Sequence, residues 1–307
     1  MTTFAIHDAF TTTSSRGLRH DILPMRLYHK AKKLGVWDPQ SIDFSQDILD
    51  WQRCNDTERE TLLQLTSLFQ AGEECVTLDL LPLVMVMAQE GRLEEEMYLT
   101  TFLWEEAKHT EFFRRFLDEV AQEHSDLHHF HSPSYRKIFY EELPQAMHAL
   151  LTDQSLQAQA RAAVTYNLIV EGVLAETGYY AFFNMLERNK IMPGLKQALG
   201  YIKRDESRHL AYGVFLISRL VAQDPSLWPF IEQKMNELLV PSLGVVNELF
   251  EGSEELAEIP FGLNMEEYLN YATMQFSKRL QRIQRAREQT VEQVYQTDEE
   301  VLGALGP

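Results

Sequence analysis

Apolar residues recur at intervals of three and four positions along most of this 307-residue chain. This spacing is typical of α-helices that bury one face, and no segment of useful length alternates as strands do. The pattern predicts a short helix over residues 25–34 and another, shorter than the long helices, over 137–152. It also predicts long helices over 57–90, 93–124, 156–188, 195–223 and 265–295. The predicted fold class is therefore all-α.

The helices are expected to form a single domain spanning 1–307, because no linker-like segment marks a boundary. Residues 1–55 form an N-terminal arm, 56–223 the core, and 224–307 a set of C-terminal helices. Thr57 and Glu60 have the spacing of a capping box, which predicts the start of the first long helix.

The composition of the chain limits the kinds of partner that it could bind. The formal charge of −18 argues against nucleic acid and against an anionic membrane surface, both of which require clustered Lys and Arg. The longest apolar run, 78–88, is too short for a membrane span, and the first 19 residues lack the pattern of a secretory signal. With only Cys54 and Cys75 present, a reducing cytoplasm is the expected compartment.

The apolar stripe of each of the four long helices between residues 57 and 223 is interrupted by a carboxylate. Two of these stripes also carry a histidine one turn later, so six polar residues are expected inside the core: Glu73, Glu106, His109, Glu171, Glu206 and His209. An isolated buried carboxylate is strongly disfavoured unless it is compensated. No Lys or Arg lies on these stripes, so two bound metal ions are the predicted compensation.

The spacing of these residues supports a metal site independently. Glu106 and His109, like Glu206 and His209, form Glu-x-x-His pairs, which project from one helix face. Midway between Glu73 and Glu106, and again midway between Glu171 and Glu206, the sequence predicts a turn. Each helical hairpin therefore brings its two glutamates to one level. The resulting inventory is that of a dinuclear carboxylate centre in a four-helix bundle.

Oxygen and nitrogen ligands suit iron and manganese, and the absence of cysteine argues against structural zinc. Four carboxylates balance two divalent ions, and the chemistry expected of such a pair is O2 activation. Non-catalytic iron storage is the alternative at this level.

The motifs that carry a family resemblance lie around these residues. They are Glu73–Val76, Trp104–His109, Tyr166 and Asp205–His209, with Leu23–Leu27 in the arm. On these motifs the chain resembles the R2-like ligand-binding oxidases, relatives of the ribonucleotide reductase small subunit R2. The resemblance covers most of the chain and implies a ferritin-like four-helix core with additional helices.

The same resemblance bears on the chemistry. Phe113 lies four residues after His109, where the radical-bearing reductase subunits have a tyrosine, so no tyrosyl radical is available there. The resemblance also implies that Val76 and Tyr166 become joined by an ether crosslink, which the O2 reaction of the site itself forms. The residues alone favour an ordinary core contact for Val76 and a hydrogen-bonded Tyr166 near a ligand, so the crosslink is expected only from the resemblance.

The cofactor that the resemblance implies is one manganese and one iron ion, with di-iron as the alternative. The implied ligand sets are Glu73, Glu106 and His109 for manganese and Glu171, Glu206 and His209 for iron. The family further implies a long-chain fatty acid bound at the metals, O2 as a reactant, an unidentified electron donor and a homodimer. Two other functions stay open: a reductase small subunit without the radical tyrosine, and a fatty acyl desaturase-like di-iron enzyme.

Overall fold

The computed structural model describes residues 9–251 and 259–298, and this part of the chain contains helices and no strand. The all-α prediction is confirmed. The α-helices are α1 (Leu23–Leu34), α2 (Ser45–Arg53), α3 (Asp56–Asp79), α4 (Leu81–Gln89), α5 (Leu93–Arg115), α6 (Pro133–Arg136), α7 (Leu143–Ala149), α8 (Leu156–Ala163), α9 (Glu176–Asn189), α10 (Pro193–Gln223), α11 (Trp228–Glu248), α12 (Met265–Arg285) and α13 (Val291–Tyr295).

Three π-helical segments extend or join these helices: Phe116–Ala121, Lys137–Glu142 and Val164–Ala175. The last of them joins α8 to α9, so the predicted helix over 156–188 is one continuous rod with a wider turn in its middle. Such segments are rare and commonly occur at functional sites.

The start of α3 differs from the prediction by two residues. Asn55 is the N-cap, and its side-chain oxygen accepts a hydrogen bond from the Glu58 amide at 3.0 Å. The Glu58 carboxylate in turn accepts from the Asn55 amide at 2.9 Å. The predicted box of Thr57 and Glu60 is wrong, because Asn55 is the extended residue and places its side chain over the helix end.

The predicted helix over 57–90 is also divided. Pro82 has no amide hydrogen and therefore cannot continue the hydrogen-bond ladder, so α3 ends at Asp79 and α4 begins at Leu81. Glu73 lies on α3, well before this break.

Four rods form the bundle: α3, α5, the rod from α8 to α9, and α10. This arrangement confirms the ferritin-like four-helix core with additional helices. Two apolar clusters fill it, and the carboxylate level lies between them. On α3, Phe69 belongs to one cluster and Val76 to the other, with Glu73 between them. On α5, Phe102 and Phe112 flank the Glu106 level in the same way.

The N-terminal helices pack onto the bundle. Leu23 and Leu27 of α1 are fully buried, and the buried Asp47 of α2 accepts hydrogen bonds from the Gly194 and Leu195 amides at 2.9 and 2.7 Å. These amides lie in the first turn of α10, where helices have unpaired donors. The division at residues 55 and 223 stays a prediction.

Among the described helices, none has the length and apolarity required to cross a membrane.

The Asp47 contact generates a stability prediction. Asp47→Ala leaves two buried amides of α10 without an acceptor, so the free energy of unfolding should fall by about 2 kcal/mol. Guanidinium unfolding of the metal-free protein measures this change. The exposed Asp56→Ala in α3 is the control and should change it by less than about 0.5 kcal/mol. Equal effects of the two substitutions would contradict the role assigned to Asp47.

Candidate metal centre

The six polar residues predicted inside the core come together in one layer of the bundle. Glu73 projects from α3, Glu171 from the π-helical segment, and a Glu-x-x-His pair from each of α5 and α10. Five of the six are buried, and only the Glu206 side chain retains some exposure, at 12 %.

These residues form two groups that could each hold a metal ion. One consists of Glu73, Glu106, His109 and Glu206, and the other of Glu106, Glu171, Glu206 and His209. Within each group the candidate ligand atoms lie within 4.8 Å of one another. Because Glu106 and Glu206 belong to both groups, the geometry is that of two adjacent sites with two shared carboxylates.

Both imidazole rings direct Nδ1 towards the carboxylates. The Nδ1 of His109 lies 3.4 Å from Glu73 Oε2 and 3.2 Å from Glu206 Oε1. The Nδ1 of His209 lies 2.9 Å from Glu106 Oε1 and 3.5 Å from Glu206 Oε2. The two half-sites are thus built alike around Glu206.

Several of these converging atoms are buried without a hydrogen-bond partner. They include both carboxylate oxygens of Glu106, one of Glu171, and the Nδ1 atoms of His109 and His209. Buried polar atoms are normally paired, so a cluster of unpaired ones that face each other indicates a missing charged partner. Carboxylate oxygens and imidazole nitrogens are suitable ligands for iron and manganese, and the residues therefore fit a pair of such ions.

A second layer of carboxylates holds the histidines in orientation. The Nε2 of His209 lies 2.9 Å from Glu105, and the Nε2 of His109 lies 3.4 Å from Asp205. A carboxylate on the far nitrogen fixes the tautomer and directs the near nitrogen towards a metal. Glu105 and Asp205 are not among the site residues predicted from sequence, although each directly precedes a predicted ligand.

Buried cations balance this second layer. Lys108 lies 3.2 Å from Asp205, and Arg208 donates to both Asp205 and Glu105 at 2.5 Å. The indole nitrogen of Trp37 also donates to Asp205, at 2.7 Å. Cations are therefore buried beside the ligand layer, although none lies on the apolar stripes themselves. They pair with the outer carboxylates and leave the inner ones to be balanced otherwise.

Two neutral side chains complete the inner layer. The Tyr179 hydroxyl donates to Glu73, and the Asn167 amide donates to Glu171 at 3.1 Å. Gly213 makes room for Asn167, because a Cβ at that position would lie 2.2 Å from the Asn167 Cβ. Donors of this kind orient carboxylate ligands without adding charge.

Burial changes the acid–base properties of the layer in the metal-free protein. It raises the pKa of Glu73 to about 8, and it raises the pKa of Glu171 well above its ordinary value, with Glu206 adding to that shift. Burial disfavours the charged form of His209 and by itself would lower the pKa of that imidazole. The nearby carboxylates of Glu206 and Glu106 outweigh this effect, so the pKa of His209 is raised well above its ordinary value. Protons thus supply the positive charge that metal ions would replace, and metal binding should release them.

The two residues expected to form a crosslink are both buried beside this layer. Val76 lies one turn after Glu73 and lines an apolar cavity that ends at the glutamates. The ring of Tyr166 packs against Phe102 with centroids 5.9 Å apart, and its hydroxyl is buried without a partner. The carboxylates of the layer add to burial in raising the pKa of Tyr166 well above its usual range.

These four rods and their ligand layer define the chain as a four-helix carboxylate protein with a candidate dinuclear centre. The model of the family "Ribonucleotide reductase, small chain" matches residues 25–293. The chain is also similar to solved structures of R2-like ligand-binding oxidase with Mn/Fe cofactors. A tyrosine-to-phenylalanine variant with an aerobically reconstituted cofactor is 38 % identical, with a TM-score of 0.87, covering 91 % of this chain and 99 % of that one.

Two further structures agree with this comparison. A second tyrosine-to-phenylalanine variant, anaerobically reconstituted, is 39 % identical, with a TM-score of 0.84 and coverages of 90 % and 98 %. A glycine-to-leucine variant, also anaerobically reconstituted, is 38 % identical, with a TM-score of 0.85 and coverages of 91 % and 98 %. The chain belongs to the ribonucleotide reductase small-chain family and, within it, to the R2-like ligand-binding oxidases.

The two overlapping groups generate a prediction about metal content. His109→Ala and His209→Ala each remove a ligand from one group only, so each should lower the content from about two metal ions per chain to about one. Glu106→Ala removes a shared ligand and should lower occupancy at both sites. Elemental analysis after reconstitution and desalting measures these contents.

The exposed His129→Ala is the control for these variants and should retain the full content. Full metal content in both core histidine variants would contradict the assigned geometry.

Proposed function

We propose that this protein is an O2-dependent oxidoreductase with a manganese/iron centre that oxidises C–H bonds by two electrons. The observation that carries the proposal is the pair of overlapping Glu/His groups, whose four glutamates line an apolar cavity. Support also comes from its relatives, since the solved R2-like ligand-binding oxidases are described with Mn/Fe cofactors.

In this proposal Glu73, Glu106 and His109 hold manganese, while Glu171, Glu206 and His209 hold iron. Di-iron is the alternative, because both half-sites offer the same types of ligand. When bound, the metal pair would supply the electrons that reduce O2 and the oxidising power for a C–H bond. The protein holds the ligands in place through Glu105 and Asp205 and excludes water with its two apolar clusters.

Phe113 favours an oxidase over a subunit that stores a tyrosyl radical. Its ring is fully buried and stacks on Phe69 with centroids 5.3 Å apart, so it is part of the apolar wall beside the centre. A phenyl ring has no phenolic proton to lose. A reductase subunit that stores its oxidant on the metals is the second candidate, and support of nucleotide reduction by a large subunit would favour it.

The first C–H bond to be oxidised is proposed to be that of Val76. An ether bond forms between a side-chain carbon of Val76 and the Tyr166 oxygen, while one C–H bond of Val76 and the O–H bond of Tyr166 break. The two electrons and the two protons released pass to O2. Support comes from the burial of both residues, from the position of Val76 beside Glu73 and from the absence of any hydrogen bond that would hold the Tyr166 hydroxyl elsewhere.

The apolar cavity is proposed to bind a long-chain fatty acid. Its inner end is formed by the four glutamates, and its walls are mainly aliphatic and aromatic, including Leu68, Phe139, Val170, Leu174 and Ala181. In this arrangement the carboxylate of the ligand faces the metals and its tail fills the cavity. The electron donor is unidentified, and a homodimer and a cytoplasmic location stay predictions.

The crosslink gives a direct test. Aerobic reconstitution with manganese and iron should lower the intact mass by about 2 Da, since two hydrogens are lost, and should give a linked peptide of Val76 and Tyr166. Tyr166→Phe removes the phenol oxygen and should keep the unmodified mass. The matched control is Tyr140→Phe, at an exposed tyrosine. An unchanged wild-type mass after complete metal loading would refute the crosslink.

The cavity gives a second test. Ala181→Leu adds bulk to a buried wall position, so the amount of long-chain fatty acid that copurifies should fall about tenfold, as expected when a well-packed site is overfilled. Solvent extraction and mass spectrometry measure that amount. Ala107→Leu, on an exposed position of α5, should leave it unchanged. Equal retention in both variants would argue against this cavity as the binding site.

A further inference from the structure

A continuous file of aromatic side chains leads away from the metal centre on the side of His209. Phe102 stacks on the His209 ring with centroids 3.7 Å apart. The same Phe102 ring contacts Tyr166 at 5.9 Å and Tyr98 at 6.1 Å. All four side chains are buried, so this is the inner end of the file.

The file continues to the surface through two more tyrosines. The Tyr98 and Tyr212 rings have centroids 5.0 Å apart. Phe215 then connects Tyr212 to Tyr295, at 5.9 and 5.2 Å. Tyr295 is only half-buried and accepts a hydrogen bond from the Arg92 guanidinium at 2.8 Å.

The outer two tyrosines share one proton acceptor. The Glu95 carboxylate, 1 % exposed, accepts hydrogen bonds from the Tyr212 hydroxyl at 3.2 Å and from the Tyr295 hydroxyl at 2.7 Å. Arg219 lies 3.4 Å from the same carboxylate and Arg92 lies 3.6 Å from it. A phenol that loses an electron also loses its proton, so a buried base on two neighbouring phenols favours their reversible oxidation.

Tyr98 differs from these two. Its hydroxyl is buried without a hydrogen-bond partner, and burial, assisted by the negative charge of Glu105, raises its pKa well above the ordinary value. Its proton therefore has no acceptor. Tyr98 can carry an electron between Phe102 and Tyr212, but an oxidised tyrosine is stabilised only at Tyr212 and Tyr295.

We propose that Tyr98, Tyr212 and Tyr295 form an electron route between the protein surface and the metal centre. In each transfer Tyr212 or Tyr295 gives one electron towards the centre and its phenolic proton to Glu95. A one-electron reductant at the surface then returns the electron, and Glu95 returns the proton. The oxidant is the O2-derived oxidising equivalent of the centre, so this inference rests on the proposed function.

Packing alone does not require this arrangement. Phenylalanine would fill the same volume in an apolar core. The hydroxyls of Tyr212 and Tyr295 instead bind the carboxylate of Glu95, which pairs with Arg219, and burying such an ion pair has a large desolvation cost. Substitution of tyrosine by phenylalanine keeps the ring contacts and removes only the hydroxyl. The redox role can therefore be tested separately from the structural one.

The first experiment uses the metal-free protein. A ruthenium photo-oxidant is attached at Glu292→Cys, an exposed position one turn before Tyr295. Labelling is selective because burial raises the pKa of Cys54 to about 11 and shifts that of Cys75 in the same direction. Flash oxidation should give a phenoxyl radical by electron paramagnetic resonance.

The radical yield should fall at least about tenfold in the Tyr212→Phe/Tyr295→Phe double variant and in Glu95→Gln. Tyr140→Phe is the matched control, since it also loses a phenolic hydrogen bond of 2.7 Å, to His131, but lies off the file. Circular dichroism and the thermal midpoint monitor folding. An unchanged radical yield in the folded double variant would overturn the route.

The second experiment links the route to the centre. In the metal-loaded Tyr166→Phe protein the crosslink cannot form, so exposure to air should place a phenoxyl radical on Tyr212 or Tyr295. Adding Tyr212→Phe and Tyr295→Phe should abolish that radical. Consumption of O2 without a phenoxyl radical would overturn the route alone. Absence of O2 consumption in the loaded wild-type protein would overturn the proposed function and the route together.

Discussion

The structure depends on the burial of four carboxylates in one layer of a helical bundle. Glu73, Glu106, Glu171 and Glu206 lie between two apolar clusters, where unpaired negative charge is strongly unfavourable. In the metal-free protein the pKa values of Glu73, Glu171 and the histidines are raised, so protons neutralise part of the layer. Metal ions can replace these protons, which couples metal binding to the stability of the core.

The charges around this layer explain why its four carboxylates are available to bind metal ions. Glu105 and Asp205 are also buried, yet each already has a cationic partner in Arg208 or Lys108. Among the described residues no Lys or Arg pairs with the inner glutamates, and their oxygen atoms converge on the two histidine nitrogens. The protein thus balances its outer carboxylates with its own side chains, and it leaves the inner ones for a charge that can take part in chemistry.

The fold class and the six inner residues could be predicted from sequence because they depend on local periodicity. A carboxylate on an apolar stripe and a histidine one turn later are visible in the sequence itself, and the turn midway between two glutamates places them at one level. The structure brings all six together. Features that depend on relations between helices were not predictable in this way. The pairing of Lys108 and Arg208 with Asp205 and Glu105 requires knowledge of which helix faces which.

Local details of the backbone also could not be predicted from the periodicity of apolar residues. The π-helical turn around Glu171 preserves a helical pattern in sequence, and the break at Pro82 follows so closely on α3 that the apolar pattern continues across it. The cap at Asn55 was misplaced by two residues, because Ser, Thr, Asn and Asp are all suitable N-caps and only the backbone angle of Asn55 distinguishes it. None of these differences moves a residue of the inner layer.

Anomalous diffraction at the manganese and iron edges, measured on crystals of the reconstituted protein, would locate and identify the ions that balance the buried glutamates. Two adjacent peaks are expected within the Glu/His layer, with manganese beside His109 and iron beside His209. Two iron peaks would support the di-iron alternative and contradict the mixed centre. Peaks outside this layer, or none after full reconstitution, would contradict the account that metal ions balance the buried glutamates.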